Sequence, residues 1–146
     1  KNQGTSILLA SNDLKMISEW CDTISVLYCG QNVESGPRQA LLESPHHPYT
    51  QALLHAIPDF TRPLAFKSKL GVLKGTVPIL EQIPPGCRLG PRCPFAQRAC
   101  IQKPAPYRIK QHEFWCHYPI NIREAQLKEK NVVAPLTLTN ETKGNE

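Results

Sequence analysis

The chain lacks any hydrophobic run approaching the roughly 18 residues that a membrane-spanning helix requires, so no such helix is expected within its 146 residues. It has a single Met and does not begin with it, which reads as an excised or processed piece. The opening Lys1-Asn2-Gln3-Gly4 feeds no long apolar stretch, so no signal peptide is expected. No Gly-x-x-x-x-Gly-Lys-Ser/Thr occurs anywhere, which excludes a phosphate-cradling loop. These residues alone should therefore neither bind ATP tightly nor hydrolyse it. No two Cys stand as close as the pairs of ordinary zinc knuckles.

Proline, by contrast, is abundant. Twelve of the 14 Pro fall between Pro45 and Pro119, which excludes a long regular array there and implies a loop-rich body. Upstream of that stretch the patterning is regular. Thr5 to Ala10 is continuously apolar at its centre, the pattern of a strand buried on both faces. Ser11-Asn12-Asp13 offers helix caps for a helix carrying Met16, Ile17 and Trp20 on one face. A second strand is expected over Ile24–Cys29, turned by Gly30-Gln31 into a third at Asn32–Ser35. Pro37 suits the first turn of a helix through Leu42, and another helix is expected from Pro48 to about Ala56.

Strand, helix, strand, hairpin, helix is α/β grammar, but Ile7–Ala10 has few strand neighbours available. The first 57 residues thus read as the tail end of a larger α/β domain, the alternative being a complete small one. Missing neighbours would leave Ile7-Leu8-Leu9 exposed or paired with another copy. Further on, Lys67–Leu73 and Val77–Leu80 are candidate edge strands, Asn121–Lys130 a charged helix, and residues 131–146 a disordered tail.

Six Cys divide into two groups. Cys21 and Cys29 lie in apolar-patterned segments, whereas Cys87, Cys93, Cys100 and Cys116 lie in the Pro-rich stretch. The gaps of the second group are five, six and fifteen residues. Turns at Gly and Pro can fold three thiolates around one centre while a return strand brings the fourth. Residues 87–119 hold Arg88, Arg92, Arg98, Lys103, Arg108 and Lys110 against Glu113 alone, which accounts for the whole net charge of +5. Such cations are expected to neutralise a thiolate-bound centre of net negative charge. Zinc knuckles use shorter gaps, so the spacing favours a [4Fe–4S] cluster over Zn. Disulfides, or thiols that merely pack, are the alternative. His112 and His117 could replace a ligand, but a lone His beside an aromatic is more often a surface or packing residue.

His47-Pro48-Tyr49-Thr50-Gln51-Ala52-Leu53-Leu54-His55-Ala56-Ile57-Pro58, with Gly86-Cys87-Arg88 and Pro91-Arg92-Cys93-Pro94, resembles the C-terminal part of ATP-binding subunits of oligopeptide and dipeptide ABC transporters. Glu81-Gln82-Ile83-Pro84 and Arg88-Leu89-Gly90-Pro91 point to the branch linked to antimicrobial-peptide uptake. The resemblance covers residues 5 to about 120. It implies an α/β fold: a C-terminal piece of an ABC-type nucleotide-binding domain at 1–57, an extension centred on a four-cysteine metal site at 58–130, and a tail at 131–146. It implies a [4Fe–4S] cluster on Cys87, Cys93, Cys100 and Cys116, and ATP with Mg²⁺ only in the full-length subunit. The partners implied are a second ATP-binding subunit and membrane permease subunits, at the cytoplasmic face of the bacterial inner membrane.

The family's switch loop usually reads Ser-His-Asp; here it is Ser11-Asn12-Asp13. Asn12 can donate a hydrogen bond but cannot titrate near neutrality, which puts efficient ATP turnover at this position in doubt. Asn12 is otherwise simply a helix cap. Two other functions compete with the transporter reading. A nucleic-acid-binding zinc module would use the basic patch with Trp115 and Tyr118 as stacking groups, but the Arg residues are already assigned as countercharge. A hydrolase pairing Cys116 with His112 or His117 would need an orienting third group, and the sequence supplies none convincingly.

Overall fold

Local signals in the first half of the chain act largely as read. In this computed structural model, residues 4–57, 73–122 and 131–132 are described. Helix α1 spans Leu14–Trp20, and the Asp13 carboxylate caps it by accepting from the Met16 N–H at 3.1 Å. The cap is thus Asp13 and not Asn12. Ile17 turns inward, whereas Trp20, expected on the same buried face, is 71% exposed.

Strands β1 (Thr23–Tyr28) and β2 (Gln31–Pro37) form an antiparallel hairpin. Along β1, Ile24, Val26 and Tyr28 are buried while Thr23, Ser25 and Leu27 face out, the period of two of a half-covered sheet. The turn is made by Cys29 (φ 47°) and Gly30 (φ 75°), one residue earlier than expected, both in the left-handed region that a tight hairpin requires. Helices α2 (Arg38–Glu43) and α3 (Pro48–His55) follow, with Pro37 capping the first and Pro48 opening the second.

The rest of the sheet comes from far along the chain. β3 (Tyr107–Ile109) and β4 (His112–Phe114) form a second hairpin, and β4 pairs antiparallel with β2, setting Glu34 opposite Phe114 and Ser35 opposite Glu113. β5 (Asn131–Val132) adds to β3, giving the order β1-β2-β4-β3-β5. The described architecture is therefore mixed helix with an all-antiparallel sheet.

Ile7–Ala10 does not form the expected strand. Its residues are irregular, with Ile7 74% and Leu8 101% exposed. Among the described residues no strand lies beside this segment, so its backbone has no ladder to join, and it takes the exposed outcome expected where sheet neighbours are missing. The edge strand expected at Val77–Leu80 is also not formed. Pro78 removes a ladder donor, Val77 and Ile79 face out, and Leu80–Gln82 form a 3₁₀ turn. The candidate strand over Lys67–Leu73 and the charged helix over 121–130 lie almost wholly outside the described residues. So does most of the expected tail, whose residues 131–132 form β5.

The core gathers Ile17, Ile24, Val26, Tyr28, Val33 and Leu41 with one residue of the cysteine loop, Leu89, at 1% exposure. Burying a leucine side chain stabilises by roughly 1.5–3 kcal/mol. Leu89 thus anchors the loop to the hairpin by ordinary apolar packing.

Candidate functional site

The cysteine loop is built from short turns, as its Gly and Pro demand. A 3₁₀ turn at Gly90–Arg92 separates Cys87 from Cys93, and another at Arg98–Ile101 carries Cys100. Cys116 follows β4, whose continuation is held by the Trp115 N–H donating to Val33 O at 3.0 Å. The Cys87 N–H donates to Cys100 O at 2.9 Å and closes the loop on itself. Gly86 is required there, because a Cβ at this position would stand 2.3 Å from Ile101 O.

These turns bring the four thiols within electrostatic reach of one another. None of the six Cys is in a disulfide. Burial pushes the Cys87 and Cys93 thiols up and the Cys116 thiol up to about 12. Negative charge on neighbouring sulfurs adds to this: Cys100 acts on Cys87, Cys87 and Cys100 act on Cys93, and all three act on Cys116. Opposing the rise are backbone N–H groups that point at sulfur: Leu89 and Gly90 at Cys87, Phe95 at Cys93, and Tyr118 at Cys116.

Two expectations about this centre are corrected. Among the described residues, no group of three or more His, Cys, Asp or Glu is arranged to hold a metal ion, so the four-cysteine metal site is not formed as a closed ligand set. The arginines expected as countercharge are engaged elsewhere. Arg88 donates to Cys29 O, Arg92 donates to Tyr28 Oη at 3.1 Å and to Lys74 O, and Arg108 pairs with Glu113 at 3.5 Å. Arg88 and Arg92 fasten the loop to the β1–β2 hairpin, whereas Arg108 bridges β3 and β4. The donor set itself still suits a thiolate-binding group: four gathered sulfurs, three of them met by backbone N–H donors. A cationic core would draw off the protons that burial favours on Cys87, Cys93 and Cys116.

Among the described residues, the buried polar groups gather around Glu34, which no motif signals. Glu34, on β2, is fully buried, and its Oε1 lies 2.7 Å from His112 Nε2 on β4. The same carboxylate accepts from the His46 and His47 N–H groups at the start of α3, with Oε2 3.1 Å from the latter. Burial raises the Glu34 pKa, but the His112 ring and the His46 amide outweigh it and leave the group below its ordinary value. His46 stacks on His112 with ring centroids 4.4 Å apart, and Phe114 meets both rings edge-on. Burial holds the His46 pKa low and that of His47 down at about 4. His112 is thus the buried partner of Glu34 and not a metal ligand among the described residues, and His117 bonds to Gln102 O on the exposed side. A thiol pushed up to about 12 is the reverse of an activated nucleophile, so Cys116 does not serve the hydrolase reading. Asn12 is exposed, in the bend before α1.

Residues 33–100 match the family described as the oligopeptide/dipeptide transporter, C-terminal region. Over 146 residues the chain is 68% identical to the peptide transport system ATP-binding protein SapD of Haemophilus influenzae, covering all of this chain and 41% of that protein. SapD of Salmonella typhimurium is 56% identical over 122 residues, 84% of this chain and 37% of its own length. SapD of Escherichia coli O6:H1 is 55% identical over 124 residues, 85% of this chain and 38% of its own. The chain thus spans about two-fifths of the length of the curated relatives it matches.

Proposed function

From a chain that carries the oligopeptide/dipeptide transporter C-terminal region and resembles SapD along its whole length, we propose that it is the C-terminal part of the ATP-binding subunit of a bacterial peptide ABC importer, of the antimicrobial-peptide type. The supporting observation is the 68% identity over every residue of the chain. In this reading, residues 1–57 end the ATPase core, with Asn12 at the switch position. Residues 58–130 form the cysteine-bearing extension, and 131–146 its tail. The whole subunit would work with a second ATP-binding subunit and permease subunits, peripheral to the cytoplasmic face of the inner membrane. Among the described residues, no helix is long and apolar enough to cross a membrane.

Cys87, Cys93, Cys100 and Cys116 are proposed to hold a [4Fe–4S] cluster in preference to Zn. The gaps between them and the N–H groups directed at three of the sulfurs support this. When bound, the cluster supplies a structural cross-link. The residues around it do the rest: Leu89, Arg88 and Arg92 fix the loop on the hairpin, and β4 presents Cys116.

The test uses the complete subunit, purified anaerobically with its permease partners. Peptide-dependent ATP turnover is expected, rising in the Asn12→His variant. Iron and acid-labile sulfide are expected in stoichiometric amounts and absent after Cys87→Ser with Cys93→Ser. A complex without peptide-dependent turnover would overturn the transport reading, and equal iron in both preparations would overturn the cluster.

A further inference from the structure

We propose that the state of the thiols is relayed to the β1–β2 hairpin: the Cys29-Gly30 turn is locked while Cys87 and Cys93 are bound to a common metal centre, and is freed when they are not. This rests on the reading that the four Cys hold such a centre. It adds a regulation of that site, directed at the part of the chain assigned to the ATPase core.

The turn is where the hairpin needs support. Tyr28 pairs with Gln31, so only two residues make the reversal, Cys29 at φ 47° and Gly30 at φ 75°. Turns with positive φ at both central positions favour Asn, Asp or Gly at the first, because other side chains are strained there. Cys29 is none of these, and a residue in that region persists only where its surroundings hold it. The holding group comes from 59 residues further along: the Arg88 guanidinium donates to Cys29 O. Its Nη1 lies so close over the turn that a Cβ on Gly30 would stand 3.5 Å from it.

Arg88 does not act alone, and its companions share its place in the chain. Leu89 is 1% exposed within the core, and Arg92 donates to Tyr28 Oη at 3.1 Å while its guanidinium carbon lies 6.0 Å from the centre of the same ring. Tyr28 is the residue immediately before Cys29. All three fastening residues stand between Cys87 and Cys93. When both sulfurs are bound, the two ends of this span are fixed, and it has less conformational freedom to lose in keeping its three contacts. Those contacts therefore strengthen together, without any new contact being made. When the sulfurs are free, the span regains that freedom and the Arg88 bond is the support that the strained turn loses.

The experiment is amide hydrogen exchange on the complete subunit, purified anaerobically, then stripped with a chelator, then reloaded with Zn²⁺. Metal content is measured at each stage. Loading is expected to slow exchange at Gly30 and Gln31 by about tenfold, the scale of one hydrogen bond to a charged group. Exchange in α1, which the loop does not fasten, is expected to stay the same. In Arg88→Gln the turn is expected to exchange at one fast rate, loaded or stripped. Equal turn exchange in the loaded and stripped wild type would overturn the relay, as would equal slowing in α1, which would mark a general stabilisation. Slowing that survives in Arg88→Gln would overturn the route through Arg88. A subunit isolated without iron whose turn is slowed by Zn²⁺ would overturn the cluster and support the relay, and one that takes up neither metal would overturn both.

Discussion

Glu34 Oε1 stands 2.7 Å from His112 Nε2, both groups buried, across 78 residues of sequence. The pair joins the first hairpin to the second. Because the same carboxylate also accepts from the amides that open α3, one side chain ties three elements together. Removing one member of such a buried set leaves the others without partners, which costs more than the bond itself contributes. Glu34→Ala is expected to lower stability by on the order of 3 kcal/mol in urea titration. A double-mutant cycle with His112→Ala should show coupling of at least about 1 kcal/mol. Additive single effects would show that the contact carries no such weight.

Stability should fall on acidification in two stages. His46 and His47 have pKa values lowered from 6.5, the latter to about 4, so the unfolded chain takes up protons that the fold refuses. Their contribution is complete above pH 6.5 and is lost as pH falls below it, for His47 down to about 4. For His47 this amounts to roughly 3 kcal/mol. Glu34, lowered from 4.5, adds a loss that begins below that value. Urea midpoints measured across this range should decline steadily. A flat profile between pH 6.5 and 4 would contradict the burial of the two imidazoles.

In reduced, metal-free protein, Cys116 should be alkylated by iodoacetamide after Cys87 and Cys93. Its thiol is the one pushed up to about 12, so the reactive thiolate is scarce at mildly alkaline pH. Peptide mapping by mass spectrometry over time gives the order. Cys116 reacting first would mean that its surroundings open in solution.

Gly86→Ala should loosen the cysteine loop. The added methyl would meet Ile101 O at 2.3 Å and Cys100 O at 2.5 Å, both of them backbone atoms that cannot swing aside. A cost of about 1–3 kcal/mol is expected from such overpacking, read as a lower Tm. Unchanged stability would show that the 86–101 backbone contact is not maintained.

Short-range signals were readable because they act within a few residues. Asp13 before Leu14, a turn at Gly30 (placed one residue late) and Pro48 at the head of α3 each constrain only neighbouring backbone. The resemblance to peptide-transporter subunits was likewise carried by local strings. Ile7–Ala10 misled because a continuous apolar run specifies a strand only where partners flank it, and among the described residues none does. The Glu34 network was missed because no spacing marks it. Glu34 reads as one polar residue of a short strand, and a lone His112 beside an aromatic as a surface or packing residue.

The sequence by itself determined the helix caps, the first hairpin, the separation of the cysteines into two groups and the transporter resemblance. Those features depend on backbone preferences and residue identity over short distances. Only the tertiary structure decided that β4 docks on β2, that Leu89 enters the core, and that Arg88 and Arg92 fasten the loop to the first hairpin. Such outcomes depend on which desolvated groups meet once distant segments pack, and a buried polar atom must take whatever partner that packing brings.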